Sequence, residues 1–169
     1  MKRVLLTLVL LGLLCSSAFA VEAIKEGRGK ISVSGSAQFQ RNDADVDQVI
    51  LAVEVGYFVI DDLEVAVKVW GMIFENASTA TLISGILSAK YHIDTESPVV
   101  PYVGPQIALV YADFGTDDDT EFGWGGFIGL DFFVTENVAL FLEYNLLLTE
   151  VMGEGFTQHA LNFGMSLFW

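Results

Sequence analysis

Bulky apolar side chains recur at every second position from Lys30 to the end of the chain, in eight separate runs. The clearest is the last, His159 to Trp169. There Leu161, Phe163, Met165, Leu167 and Trp169 alternate with Ala160, Asn162, Gly164, Ser166 and Phe168. A period of two belongs to a strand whose two faces meet different surroundings. The same reading puts Ile31, Val33, Gly35, Ala37 and Phe39 on one face of a first strand, about Lys30 to Gln40. Val49, Leu51, Val53, Val55, Tyr57 and Val59 mark a second, and Leu63, Val65, Val67, Val69, Gly71 and Ile73 a third. The fourth carries Ile83, Gly85, Leu87, Ala89 and Tyr91, and the fifth Val103, Ile107, Leu109 and Tyr111. Phe122 to Phe132 and Val138 to Leu146 supply the sixth and seventh.

No charged residue falls on the bulky parity. The other parity holds Lys30, Glu54, Glu64, Lys68, Lys90, Asp131 and Glu143, with Gln38, Gln106, Asn145, Asn162 and many Gly, Ala and Ser. The runs are about 10 to 13 residues long, and a tilted strand crosses a bilayer in about 9–11. Two arrangements would satisfy this pattern. A soluble barrel would turn the bulky face inward, whereas a membrane barrel would turn it out to lipid. The polar parity is rich in small residues, which suit the narrow interior of eight strands, and too poor in charge for a good soluble exterior. Tyr57, Tyr91, Phe132 and Trp169 fall near one set of strand ends, and Phe39, Tyr111, Phe122 and Trp124 near the other. Two such girdles belong at lipid–water boundaries. The expectation is an all-β, eight-stranded antiparallel up-and-down transmembrane β-barrel.

The connections also differ in kind. Arg41 to Asp47, Glu75 to Ala80, Asp113 to Glu121 and Thr149 to Phe156 are polar and mostly acidic, and read as longer loops at one end. Ile60-Asp61-Asp62 and Thr135-Glu136-Asn137 are tight turns at the other end, joined there by Asp94 to Val100. The stretch Tyr57 to Leu63 recurs 75 residues later as Phe132 to Val138, which reads as one hairpin solution used twice. Pro105 inside the fifth strand lacks a ladder donor, so a bulge or a late strand start is expected, with a possible one-residue slip of faces beyond it.

Residues 1–20 have the form of a secretory signal peptide: Lys2 and Arg3, an apolar core from Val4 to Leu14, then Ala18-Phe19-Ala20. The apolar run is too short for a spanning helix. Cleavage after Ala20 removes Cys15, the lone cysteine, which excludes a disulfide framework and a thiol nucleophile. All 22 acidic residues and six of the eight basic ones follow Ala20, a mature net charge of −16. Such a chain repels nucleic acid. A hydrophobic content of 53% without a spanning helix again fits dispersed apolar strands.

The repeated hairpin, with Pro101-Tyr102-Val103-Gly104 and Gly123-Trp124-Gly125-Gly126, resembles the small OmpA/OmpX-type outer-membrane barrel family over nearly the whole mature chain. The final strand, ending on Trp169, is similar to the closing strand of such barrels. The resemblance implies a bacterial outer-membrane location with both termini in the periplasm. It implies partners too: outer-membrane lipid, lipopolysaccharide, and the assembly machinery that reads the last strand. The expected organisation is a signal peptide at 1–20, a short periplasmic segment at 21–29, and the barrel at 30–169.

Candidate chemistry is sparse. If the turn at Asp61 sets Phe58 opposite Glu64, Glu54 lies across from Lys68, as a satisfied polar core or the lining of a narrow pore. A lipid A-modifying enzyme would need a nucleophile beside a base. His159 lies on the apolar parity without a serine two residues on. His92 shares a face with Ser88, but four residues along a strand is roughly 13 Å. Asp113, Asp117, Asp118, Asp119 and Glu121 form the densest acidic cluster, suited to a solvated loop or to weak divalent cations. No EF-hand spacing accompanies it. No catalytic residue, cofactor site or dedicated metal site is therefore expected. The reading is a structural, envelope-integrity or surface-interaction barrel, with a narrow channel or a lipid A-modifying enzyme as alternatives.

Overall fold

The computed structural model describes residues 24–38, 49–76, 78–95, 97–113, 118–151 and 154–169. They form eight strands and no helix: β1 (Gly29–Gln38), β2 (Val49–Ile60), β3 (Leu63–Asn76), β4 (Ser78–His92), β5 (Val99–Asp113), β6 (Asp118–Thr135), β7 (Val138–Val151) and β8 (Glu154–Phe168). Each strand pairs antiparallel with its neighbour in sequence, and β1 closes on β8, from Lys30↔Phe168 to Gln38↔Ala160. Closure removes the free edges that a lipid-exposed sheet could not satisfy. Among the described residues no helix is long and apolar enough to cross a membrane.

Side chains follow the predicted parity. Val53, Val67, Leu109, Ile128 and Phe163 are exposed on the outer wall, and the charged parity is buried inside. Hydrocarbon is the only solvent that makes such a wall stable. Tyr57, Tyr91 and Trp169 lie exposed at the end that holds both termini, and Tyr111, Phe122 and Trp124 towards the far end. Phe39 falls outside the described residues.

Two expectations need correction. First, three of the four polar stretches at the far end are largely strand; the fourth, Arg41 to Asp47, lies outside the described residues. Pairing continues through Phe74↔Ala80 and Asn76↔Ser78, through Asp113↔Asp118, and through Val151↔Glu154. Acidic composition marks where the wall leaves lipid for water; it does not stop backbone pairing. Second, Pro105 causes no slip. The β4–β5 ladder skips two pairs between Ser88↔Gln106 and Tyr91↔Val103, then resumes in the same register. Gly104 absorbs the close approach, because a Cβ there would strike the Ala89 carbonyl oxygen. The segment before β1, on whose packing the sequence is silent, is packed structure: Ile24 is only 1% exposed.

The repeated hairpin is one solution used twice. β2–β3 jumps register between Phe58 and Ile60, and β6–β7 between Phe133 and Thr135, each just before a two-residue turn. The first turn sets Asp62 at φ 66°, a left-handed conformation that Asp tolerates better than most residues.

Candidate functional site

Among the described residues the barrel interior is where the fold gathers chemistry-bearing side chains from many strands, and it is layered along the axis. At the terminal end Ile24, Phe58, Val100, Phe133, Ala139 and Phe168 pack into an apolar seal. Phe58 stacks on Phe168 with ring centroids 6.3 Å apart, and Phe133 meets Phe168 at 5.0 Å. The segment before β1 is laced across this mouth. The Gly27 amide donates to the Phe58 carbonyl at 2.9 Å, the Asp62 amide to the Ile24 carbonyl at 3.0 Å, and Arg28 Nη2 to Asn137 Oδ1 at 2.7 Å. Asp61 in the β2–β3 turn receives the Glu26 amide at 2.9 Å and the Lys25 ammonium at 3.4 Å. The Glu26 donor chiefly, and Lys25 after it, hold its carboxyl below the ordinary carboxylate value.

Above the seal lie the buried charges. Lys30 bridges Glu64 at 3.3 Å and Asp131 at 3.5 Å. His92 stands between the same two carboxylates, Nε2 to Glu64 at 3.0 Å and Nδ1 to Asp131 at 3.7 Å. The next layer is a ring in which Lys68 and Lys90 each contact both Glu54 and Glu143. The predicted Glu54↔Lys68 and Phe58↔Glu64 registers are present. Glu143 is the hub. Its Oε1 accepts from Lys68 at 2.7 Å, Asn145 at 2.8 Å and Asn162 at 3.2 Å, while Oε2 accepts from Tyr102 at 3.1 Å and faces Lys90 at 3.4 Å. The Tyr102 ring carries both Lys30 and Lys90 over its face, at 5.6 and 5.3 Å. Every charge therefore has an opposite charge or a donor beside it, the condition for burying it at all.

Towards the far end the filling loosens. A cavity of about 40 Å³ lies between Lys68, Gln106, Asn145 and Asn162 on one side and Trp70, Ile86 and Leu147 on the other. That is room for two or three waters, at about 10–15 Å³ each.

The two histidines lie on opposite faces of the wall. His92 is enclosed by Glu64, Asp131 and the rings of Phe58 and Tyr102, while Ser88 Oγ donates instead to the Ala66 carbonyl at 3.5 Å. His159 is on the outer wall, its Nδ1 2.6 Å from the Tyr144 hydroxyl. The acidic stretch 113–121 divides: residues 114–117 lie outside the described residues, and the rest continue β5 and β6. Among the described residues no cluster of three or more potential metal ligands forms. The sequence reading missed the large inward side chains Phe58, Tyr102, Phe127, Phe133, Phe141 and Phe168. The signal was present, since all occupy the inward parity.

A closed eight-stranded barrel with an apolar outer wall calls for comparison with known membrane barrels, and the model of the outer membrane protein β-barrel domain family matches residues 6–167. The chain belongs to that family. It is thus an outer-membrane β-barrel protein. No curated protein matches the chain by sequence. Among solved structures, Neisserial surface protein A is similar at 24% identity over 83% of this chain and 94% of that one, with a TM-score of 0.64. The N-terminal β-barrel domain of Pseudomonas aeruginosa OprF is 20% identical over 85% and 98%, with a TM-score of 0.54. Ail, the attachment invasion locus protein of Yersinia pestis, solved with the heparin analogue sucrose octasulfate, is 11% identical over 85% and 99%, with a TM-score of 0.55. At these identities the likeness is one of fold. The outer-membrane barrels share the closed wall.

Proposed function

We propose that this outer-membrane barrel is a sealed structural element, serving envelope integrity or surface interaction rather than transport or catalysis. The supporting observation is the stacked interior. An apolar seal, two layers of paired charges and a cavity of only about 40 Å³ leave no continuous path for solute. In this reading the signal peptide is removed, both termini face the periplasm and the acidic hairpins face outward. The wall contacts lipid and lipopolysaccharide, and the last strand is read by the assembly machinery. Planar-bilayer recording of the purified protein tests the seal. No steady conductance is expected, and Lys68→Ala should weaken the barrel without opening it. A large stepwise conductance in either protein overturns the reading. Unchanged lipid A composition with His92→Ala and His159→Ala is the matching expectation against catalysis.

The surface partner this charge favours is cationic. Ail is described with a sulfated heparin analogue, but a mature charge of −16 and far-end hairpins rich in Asp and Glu oppose a polyanion here. Weak divalent-cation bridging from Asp113 to Glu121 to anionic lipopolysaccharide fits better. Thermal melting with added calcium should then rise at millimolar concentration, and an unchanged melt retires the idea.

A further inference from the structure

The outer wall carries one feature that the sealed-barrel reading does not use. Among the described lipid-facing residues His159 is the single basic side chain, and it is hydrogen-bonded to Tyr144 at 2.6 Å with the rings 6.1 Å apart. We propose that Tyr144 and His159 form a docking point for the phosphate of a membrane lipid on the outer face of β7 and β8.

Depth is the first argument. His159 and Trp169 lie on the same face, ten residues apart along an unbroken ladder that the Gly29–Trp169 backbone pair extends to the last residue. At ~3.4 Å per residue and a tilt of ~40°, that span covers roughly 26 Å along the membrane normal, against an apolar band about 25 Å tall. Leu161, Phe163, Met165 and Leu167 fill the interval, and Thr157 follows as the next outward residue. With Trp169 at one interface, His159 therefore stands at the other, level with lipid headgroups.

Donor count is the second. An imidazole brings at least one N–H and a phenol one O–H, and their mutual hydrogen bond uses only one of them. If Tyr144 donates to Nδ1, the Nε2–H is left over; if Nδ1 donates, the phenol O–H is left over. At headgroup level the left-over donor meets acceptor oxygens, and an anionic phosphate oxygen takes it in the stronger, charge-assisted bond. The third argument is the shortage of other bases. Lys30, Lys68 and Lys90 are locked inside, and Lys25 and Arg28 belong to the terminal end. Among the described residues, nothing else at the far end can offer a phosphate a nitrogen donor able to carry charge.

The test is native mass spectrometry of the full-length mature protein in maltoside micelles with added phosphatidylglycerol. Wild type should retain the lipid about tenfold more than His159→Phe, the fold-change for losing one charge-assisted hydrogen bond, with Tyr144→Phe between them. Both variants alter the lipid-facing wall only, and heat-dependent gel mobility reports their folding. In wild type alone, the His159 side-chain ¹⁵N resonances should move on adding phosphatidylglycerol and stay put with diacylglycerol, which has the esters but no phosphate. Equal retention by wild type and His159→Phe, or equal ¹⁵N shifts with diacylglycerol, overturns the proposal. Displacement of the lipid by millimolar inorganic phosphate overturns the assignment to a membrane lipid; no displacement is expected. A failure here leaves the sealed interior untouched, since conductance tests that separately.

Discussion

Glu143→Ala is the most informative perturbation of the interior, because this carboxylate takes five hydrogen bonds from side chains on β3, β4, β5, β7 and β8. Its removal leaves Lys68 and Lys90 sharing Glu54 alone, with Lys68 at 3.4 Å from it. Two buried ammonium groups against one carboxylate are a local excess of positive charge in a poorly solvated space. Removing one partner of a buried ion pair typically costs about 3–5 kcal/mol. The adjoining cavity moderates the loss, since water there can solvate Lys68 but reaches Lys90 less well. The expected destabilisation is therefore nearer ~3 than ~5 kcal/mol. Glu143→Gln, which keeps one acceptor oxygen, should fall between Ala and wild type. Urea unfolding in micelles, followed by fluorescence of Trp70, Trp124 and Trp169, measures both variants. The Lys68→Met/Glu143→Leu double variant should cost less than the sum of its single changes, because neither charge is stranded. A Glu143→Ala cost under ~1 kcal/mol would refute the reasoning and mean that the ring is solvated like a surface pair.

Gly129→Ala should destabilise by about 1–3 kcal/mol in the same assay, because the new Cβ runs into the Tyr102 ring that supports Lys30 and Lys90, whereas Gly85→Ala, with open space around its Cβ, should change stability by less than ~0.5 kcal/mol. Acid should loosen the strap across the terminal mouth. The folded-state pKa of Asp61 is depressed below its ordinary 3.8, so the Glu26 tie is present above that value and fades as pH falls through the folded one. Hydrogen exchange should show the Glu26 amide losing protection at low pH before the Gly27 amide, whose acceptor is the Phe58 carbonyl. Equal loss at both amides counts against the carboxylate tie.

The wall was legible because its signal is repeated. All eight strands carry the same two-residue alternation, so the position of each face did not depend on any single residue. The Glu54↔Lys68 register was legible for a related reason: a two-residue turn at Asp61-Asp62 fixes the hairpin, and the alternation does the rest. Pairwise contacts between strands distant in sequence were not. Glu143 reaches Lys68 and Lys90, and Lys30 reaches Asp131, across the barrel lumen, where no register rule relates the partners. His92 shows the consequence. Its inward parity was readable, but the carboxylates on both sides of its ring come from β3 and β6, and only closure brings them there. Strand ends were misjudged because acidic residues mark the lipid–water boundary, and the backbone ladder continues past it.

The inward aromatics carry the further lesson that an interior cannot be judged by its average. Small residues do dominate the inward parity of β1 and of much of β4, but Phe58, Phe133 and Phe168 all occur at the terminal ends of their strands. Eight strands enclose a space only wide enough for side chains, so three phenyl rings at one level close it, and Ile24 completes the closure. Charged residues then occupy the middle, where each faces an opposite charge, and the amides and the cavity occupy the level beyond. This order has a physical cause. Water entering from the terminal end would compete for every carboxylate in the ion-pair layers. An apolar seal on that side holds Lys30, Glu64 and Asp131 in a dry layer where their mutual attraction is strongest, while Lys68, beside the cavity, keeps limited access to solvent. The seal and the charge layers therefore depend on each other. Breaching the seal with Ile24→Asp should weaken the Lys30 layer before the Lys68 ring, visible as earlier hydrogen exchange at the β1 backbone than at β3, and the opposite order would show that the layers are energetically independent.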